Sequence, residues 1–285
     1  MALHLPTFFT RLGSAIVFSI VMMAGFLSNE WAFLALFLVV CFLCLKEYAK
    51  LLENIFSTQF RTNEKVNFIV VGLALFLWVA ALPLGTCAST AASTLQPFLF
   101  QLLGICLGAL AIFFLFRKNK SSIYLLSGLG YISLSLGLFV QLRYQSLLLP
   151  LILILFIWMN DSLAYLTGSF FGKTPFAPNI SPKKTIEGTV GGILFTLVFA
   201  GIWGYNTHWF ALPVWFSFGL IASLIGTIGD LVESKLKRMA NVKDSGQIMP
   251  GHGGALDRFD SLLLAAPFAF LCGLLFDLCF PYTVF

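Results

Sequence analysis

Between Asp230 and Asp260, a chain that is otherwise mostly apolar gathers ten of its 29 charged residues. Lys235, Lys237, Arg238, Lys243 and Arg258 stand against Asp230, Glu233, Asp244, Asp257 and Asp260, five of each sign. A patch built only to hold anionic lipid would carry an excess of Lys and Arg. Asp257-Arg258-Phe259-Asp260 sets two carboxylates at i and i+3, neighbours on one helix face. Asp230 ends the preceding apolar segment and reaches the same level. Three carboxylates without His or Cys partners suit a hard cation such as Mg²⁺, which also takes phosphate oxygens as ligands. Asp230, Asp257 and Asp260 are therefore the candidate metal ligands. Between them, Pro250-Gly251-His252-Gly253-Gly254 is a turn in which backbone can approach a phosphate closely. Lys237, Arg238, Lys243 and Arg258 can neutralise further phosphate charge. Each piece has a plainer reading: interfacial anchors at Lys237 and Arg238, a turn residue at His252, and a surface pair of Asp257 and Arg258 worth under about 1 kcal/mol. Their coincidence in one short segment favours a site.

Two earlier stretches add polar groups. Asn160 and Asp161 lie toward one end of an apolar helix. A carboxylate there costs up to about 2.5–3.5 kcal/mol on insertion scales, so it usually faces a polar cavity or partner. The alternative is an Asp that ends its helix in interfacial water. Further on, Ser181 followed by Pro182 reads as an N-cap and first helical position, which predicts Lys183, Lys184 and Thr185 in a first helical turn. Lysines oppose the macrodipole at that end, and an anion bound to the free N–H groups would reconcile the two. Two lysines near lipid headgroups is the competing reading. The phosphate loop GxxxxGK[ST] is absent.

These stretches need elements to hold them together, and the composition says which. Of 285 residues, 59% are hydrophobic and 10% charged, with mean hydropathy +0.94, whereas soluble domains carry about 25% charged residues. Apolar runs long enough to cross about 30 Å of hydrocarbon predict about nine transmembrane helices. They fall near 12–28, 31–45, 66–83, 95–116, 122–142, 147–168, 188–206, 211–229 and 262–280. Helices follow because lipid offers backbone groups no other partner. The fold class is all-α, a polytopic integral membrane protein.

With the N-terminus inside, 16 of the 17 Lys and Arg residues fall in inside loops and only Arg143 outside. The positive-inside rule then puts the N-terminus in the cytoplasm and the C-terminus outside. The first helix lacks a cleavage-site pattern and is followed at once by more apolar helices, so it is not read as a signal peptide. The six cysteines lie in apolar helices or, for Cys87, a short loop, and Cys41-x-x-Cys44 reads as packing. Residues 46–65 read as a charged amphipathic linker. Polarity divides the single membrane domain into residues 1–145, mainly structural, and 146–285, which carry the site.

The run Ser234-Lys-Leu-Lys237-Arg238-x4-Lys243-Asp244-x-Gly246-x3-Pro250-Gly251-His252-Gly253-Gly254-x2-Asp257-Arg258-x-Asp260 resembles the C-terminal signature of the phosphatidate cytidylyltransferases. Asp161-x-x-Ala-Tyr-x-x-Gly and Ser181-Pro-Lys-Lys-Thr-x-Glu-Gly are similar to that family's other polar stretches. Residues 158–261 are covered, and the first 145 match only as apolar helices. Met249 and Ala255 depart from the larger aliphatics usual there, a difference in packing.

The resemblance implies that CTP and phosphatidate give CDP-diacylglycerol and diphosphate, with Mg²⁺ and room for a second, monovalent cation. It implies metal binding by Asp230, Asp257 and Asp260, and substrate-phosphate contacts from Ser181, Lys183, Lys184, Thr185, Lys237, Arg238, Lys243 and Arg258. Asp161, Asp244 and His252 are further site members. The implied setting is a homodimer in membrane lipid, at the cytoplasmic face of a bacterial inner membrane, with no nucleic acid. Two other functions would leave other marks. A CDP-alcohol phosphatidyltransferase would show DGxxAR and GxxxDxxxD, and neither occurs. A transporter of a phosphorylated anion would place polar groups at the midplane or break its helices, but here they gather toward one face.

Overall fold

The computed structural model describes residues 5–82, 120–207, 209–248 and 253–279. The helix expected at 95–116 lies outside them, as does His252. Eight helices are described: α1 (Leu5–Leu27), α2 (Glu30–Phe56), α3 (Thr62–Ala81), α4 (120–145), α5 (Leu148–Phe171), α6 (Ile186–Thr207), α7 (Leu212–Met239) and α8 (Leu256–Cys279). Seven of them include a stretch long and apolar enough to cross a membrane. A two-stranded antiparallel hairpin, β1 (Pro175–Ala177) with β2 (Ser181–Thr185), interrupts the helical pattern.

Three helix limits differ from expectation. The second helix does not stop near residue 45. Asn29 accepts a hydrogen bond from Ala32 N at 2.9 Å to start it, and it runs on through the expected linker to Phe56, ending at Ser57 in the left-handed region. It continues because Cys44, Leu45, Tyr48, Leu51 and Leu52 keep one face buried through the charged stretch. Pro182 does not begin a helix. Residues 181–185 are strand, and α6 starts at Ile186, because Thr185 Oγ1 accepts from Gly188 N at 3.1 Å and serves as the cap instead. Finally, α7 extends to Met239 and α8 begins at Leu256, so the signature's charges sit largely on helices.

In the first half, aromatic rings make the core. Phe33 and Phe37 lie 4.7 Å apart, Phe37 and Phe139 4.9 Å, and Phe26 and Phe33 5.1 Å, all fully buried. Gln141 donates to the carbonyls of Val79 (2.9 Å), Ala80 (2.8 Å) and Leu82, closing the end of α3 whose carbonyls lack intrahelical partners. The second half packs differently. At Gly188 and Gly192, α6 meets α5 so closely that an added Cβ would fall 2.7 Å from Ala164 O and 3.0 Å from Asn160 O. Small residues let the two backbones approach, which holds the hairpin against the end of α5. Both α4 and α7 carry a π-helical turn, Leu129–Leu134 and Ile221–Ile225.

Candidate active site

The ends of α5, α6, α7 and α8 that the topology expects on one face do gather, and with them the polar side chains. Asp230 and Glu233 lie one turn apart on α7, and Asp260 comes from the first turns of α8. One oxygen from each of the three lies within 4.8 Å of the others. Glu233 is fully buried, pairs through Oε2 with Lys237 Nζ at 2.5 Å, and has no hydrogen-bond donor on Oε1. Asp260 Oδ1 accepts from Ser261 N at 2.6 Å. An anionic, all-oxygen set with a buried carboxylate oxygen left unsatisfied fits a hard divalent cation.

Asp257 is not in that trio. Its Oδ1 accepts from Lys237 Nζ at 2.6 Å. Its Oδ2 accepts from Ser245 N (2.8 Å), Ser245 Oγ (2.8 Å) and Gly254 N (2.7 Å). A carboxylate so fully engaged at a helix N-terminus fixes the loop and its own helix. Lys237 is likewise committed, held between Glu233 and Asp257 with a side chain only 12% exposed.

The hairpin closes over the other side. Glu187 accepts from Lys173 N (3.1 Å) and Thr174 N (3.1 Å), tying the hairpin's start to α6. This brings Lys184 Nζ into an ion pair with Asp230 Oδ2. Ser234 Oγ donates to Asp230 Oδ1 at 3.2 Å. Arg238 Nε donates to Ile180 O at 3.2 Å and Nη1 to Val242 O at 3.4 Å, stapling the hairpin to the end of α7. Asp161 on α5 lies within electrostatic range of Asp230, Lys184 and Arg258. Its neighbour Asn160 is buried and donates to Thr227 Oγ1 at 3.4 Å.

Asp161, Lys184, Asp230, Arg258 and Asp260 are thus brought together. Lys183, Lys243 and Asp244 are exposed and make no ion pair among the described residues. Ser181 sits at the strand end paired with Ala177. A small crevice between α1, α5 and α8 is lined by Phe18, Met22, Ile157, Trp158 and Leu262 together with Arg258. Arg258 is exposed and free of ion pairs among the described residues.

Two carboxylates escaped the spacing argument. Glu233 was counted among the charges but not as a ligand, although it stands three residues from Asp230 and four from Lys237. Glu47 on α2 lies in the half that reads as structural. It is buried and accepts from Ala255 N (3.0 Å), Leu256 N (2.8 Å) and Ser245 Oγ (2.8 Å). Its sequence signal is a charge on the helix face that buries Cys44, Tyr48 and Leu51.

The sequence model of the cytidylyltransferase family matches residues 9–276. A phosphatidate cytidylyltransferase from Staphylococcus aureus (strain COL) is 42% identical over 156 residues, which is 53% of this chain and 60% of that protein. One from Bacillus subtilis (strain 168) is 48% identical over 125 residues, 42% of this chain and 45% of that protein. One from Staphylococcus epidermidis is 38% identical over 159 residues, 53% of this chain and 60% of that protein. The matched stretches span less than two thirds of these relatives' length.

Proposed function

Since the chain belongs to the cytidylyltransferase family, we propose that it is a phosphatidate cytidylyltransferase, making CDP-diacylglycerol and diphosphate from CTP and phosphatidate. The observation that carries the reading is the meeting of Asp230, Glu233 and Asp260 with Lys184 at one end of the bundle. An oxygen of the phosphatidate phosphate attacks the α-phosphorus of CTP. The bond from that phosphorus to the β-phosphate bridging oxygen breaks, and diphosphate leaves. Phosphatidate is already ionised near neutral pH, so the attack needs no protein base.

A divalent cation, Mg²⁺ in this reading, would be held by Asp230, Glu233 and Asp260 and would neutralise charge that builds on the phosphates. Around it the chain's own groups bind and orient. Lys184, already poised against Asp230, and Lys183 and Lys243, which make no ion pair among the described residues, supply cations for the triphosphate. Arg258 is assigned to phosphatidate, because it combines an exposed guanidinium, without an ion pair among the described residues, with an apolar crevice, the two features a phosphate on an acyl chain requires. Asp257 and Lys237 act by holding the first turn of α8 in place. The basic residues at this end support a site at the cytoplasmic face of the membrane, by the positive-inside rule.

The test is direct. Purified protein in detergent, given CTP, phosphatidate and Mg²⁺, should release diphosphate and CDP-diacylglycerol in equal amounts. No release with any phosphatidate species, under conditions where a known synthase works, would sink the assignment. A cysteine placed at Lys120 should label only from the cytoplasmic side.

A further inference from the structure

Glu47 has no role in the reaction as described, and it is the least ordinary carboxylate in the first half. It is buried among apolar neighbours on α2, and no Lys or Arg pairs with it among the described residues. An unpaired buried charge persists only where hydrogen bonds replace water. Here they come from far along the chain: the amides of Ala255 and Leu256 and the hydroxyl of Ser245. Those amides open α8, where the helix has N–H groups without partners and the positive end of its dipole. The loop also wraps the carboxylate closely. A Cβ on Gly254 would fall 2.3 Å from Glu47 Oε2, and one on Gly246 2.2 Å from Oε1.

The contact does not end at the cap. Ser245 Oγ lies 2.8 Å from both Glu47 Oε2 and Asp257 Oδ2 and its one hydrogen serves the two carboxylates between them, while the amides of Ser245 and Gly254 tie Asp257 to the same loop. Asp257 holds Lys237, Lys237 holds Glu233, and Glu233 stands with Asp230 and Asp260. A continuous chain of hydrogen bonds and ion pairs therefore runs from α2, through the signature loop, to the carboxylate trio.

We propose that Glu47 is a positioning residue for the reaction: it pins the signature loop and the first turn of α8, and so sets the alignment of the carboxylates that receive the cation. The activity part of this inference rests on the cytidylyltransferase reading; the structural part does not.

The experiment compares Glu47→Gln, which keeps size and removes charge, with Ser245→Ala, which removes the hydroxyl between Glu47 and Asp257 but leaves the amide contacts to both carboxylates. Glu53→Gln, a second acid on α2 that pairs with Lys65 instead, is the control. Hydrogen exchange followed by mass spectrometry reads the amides of 244–248 and 253–257 without any substrate. Exchange there should accelerate about tenfold or more in Glu47→Gln, by the loss of charge-assisted bonds, with α2 itself unchanged. In turnover, Glu47→Gln should lower kcat about 10- to 100-fold and raise the Mg²⁺ concentration for half-maximal rate several-fold, while Glu53→Gln matches wild type. Ser245→Ala should move both readouts in the same direction by less.

A Glu47→Gln protein with wild-type exchange in the loop and a wild-type Mg²⁺ curve overturns the proposal. So does one whose exchange rises uniformly across the molecule, which would mark a general loss of stability. If Glu47→Gln does not fold, unchanged loop exchange in Ser245→Ala overturns it equally. Absence of turnover in the wild type, with the exchange result as expected, would fault the function and leave the positioning intact.

Discussion

The halves of this molecule bury their surfaces by different means. From α1 to α4, rings of Phe26, Phe33, Phe37 and Phe139 interlock, and polar groups such as Gln141 are spent on closing backbone ends. From α5 to α8, glycines bring backbones into contact, and carboxylates and cations share a confined space. Side-chain packing is tolerant of polar neighbours only at its margins, whereas backbone-to-backbone contact fixes helix spacing with few side-chain degrees of freedom. A site that must align charges from three helices and a hairpin benefits from the second kind of contact. The halves are not independent, because Glu47 and Tyr131 cross between them. The Tyr131 hydroxyl donates to Asp260 O at 3.5 Å.

The largest effect should come from the second half's charges. Asp260→Asn removes one member of the carboxylate trio and should reduce CDP-diacylglycerol formation by about 1000-fold or more, while gel filtration shows a folded protein. Near-full activity would break the contrast at once. Next is its counterpart in the first half. Phe139→Ala leaves a cavity among aromatic rings and should cost about 3–5 kcal/mol of stability, read as a lower unfolding midpoint in detergent. Activity per folded molecule should stay within about twofold of wild type, and a selective loss of kcat would show that the core tunes the site.

A smaller effect is expected at the glycine contact. Gly192→Val pushes a Cβ to within 2.9 Å of the Ala164 Cβ and should cost about 1–3 kcal/mol. Because the hairpin rides on this contact, activity should fall more than stability predicts, measured by turnover at a temperature where both proteins are folded. The smallest is specific to one substrate. Arg258→Ala should raise KM for phosphatidate about tenfold and leave KM for CTP nearly unchanged. Equal changes in both would remove the division between the substrates.

Much of this was readable along the chain. Hydropathy alone located seven of the nine expected helices as helices of spanning length among the described residues, since apolar runs in lipid have one way to satisfy their backbone. The late signature stood out by its charges, but i and i+3 spacing put Asp257 and Asp260 on one helix face without showing that Asp257 turns to Lys237 and the loop while Asp260 meets Asp230 and Glu233. Legibility failed where the neighbour lies on another element. Thr185 rather than Ser181 caps α6, because cap choice depended on a hairpin held by Glu187.

The sequence by itself determined that this is a membrane-spanning helical protein with its polar chemistry at one end, because composition and local spacing act within single segments. Only the tertiary structure decided that Glu233 joins Asp230 and Asp260, that Asp257 and Lys237 are spent on one another, and that Glu47 reaches the loop from α2. Those outcomes depend on how helices are rotated and how closely they approach, and no short-range pattern encodes that.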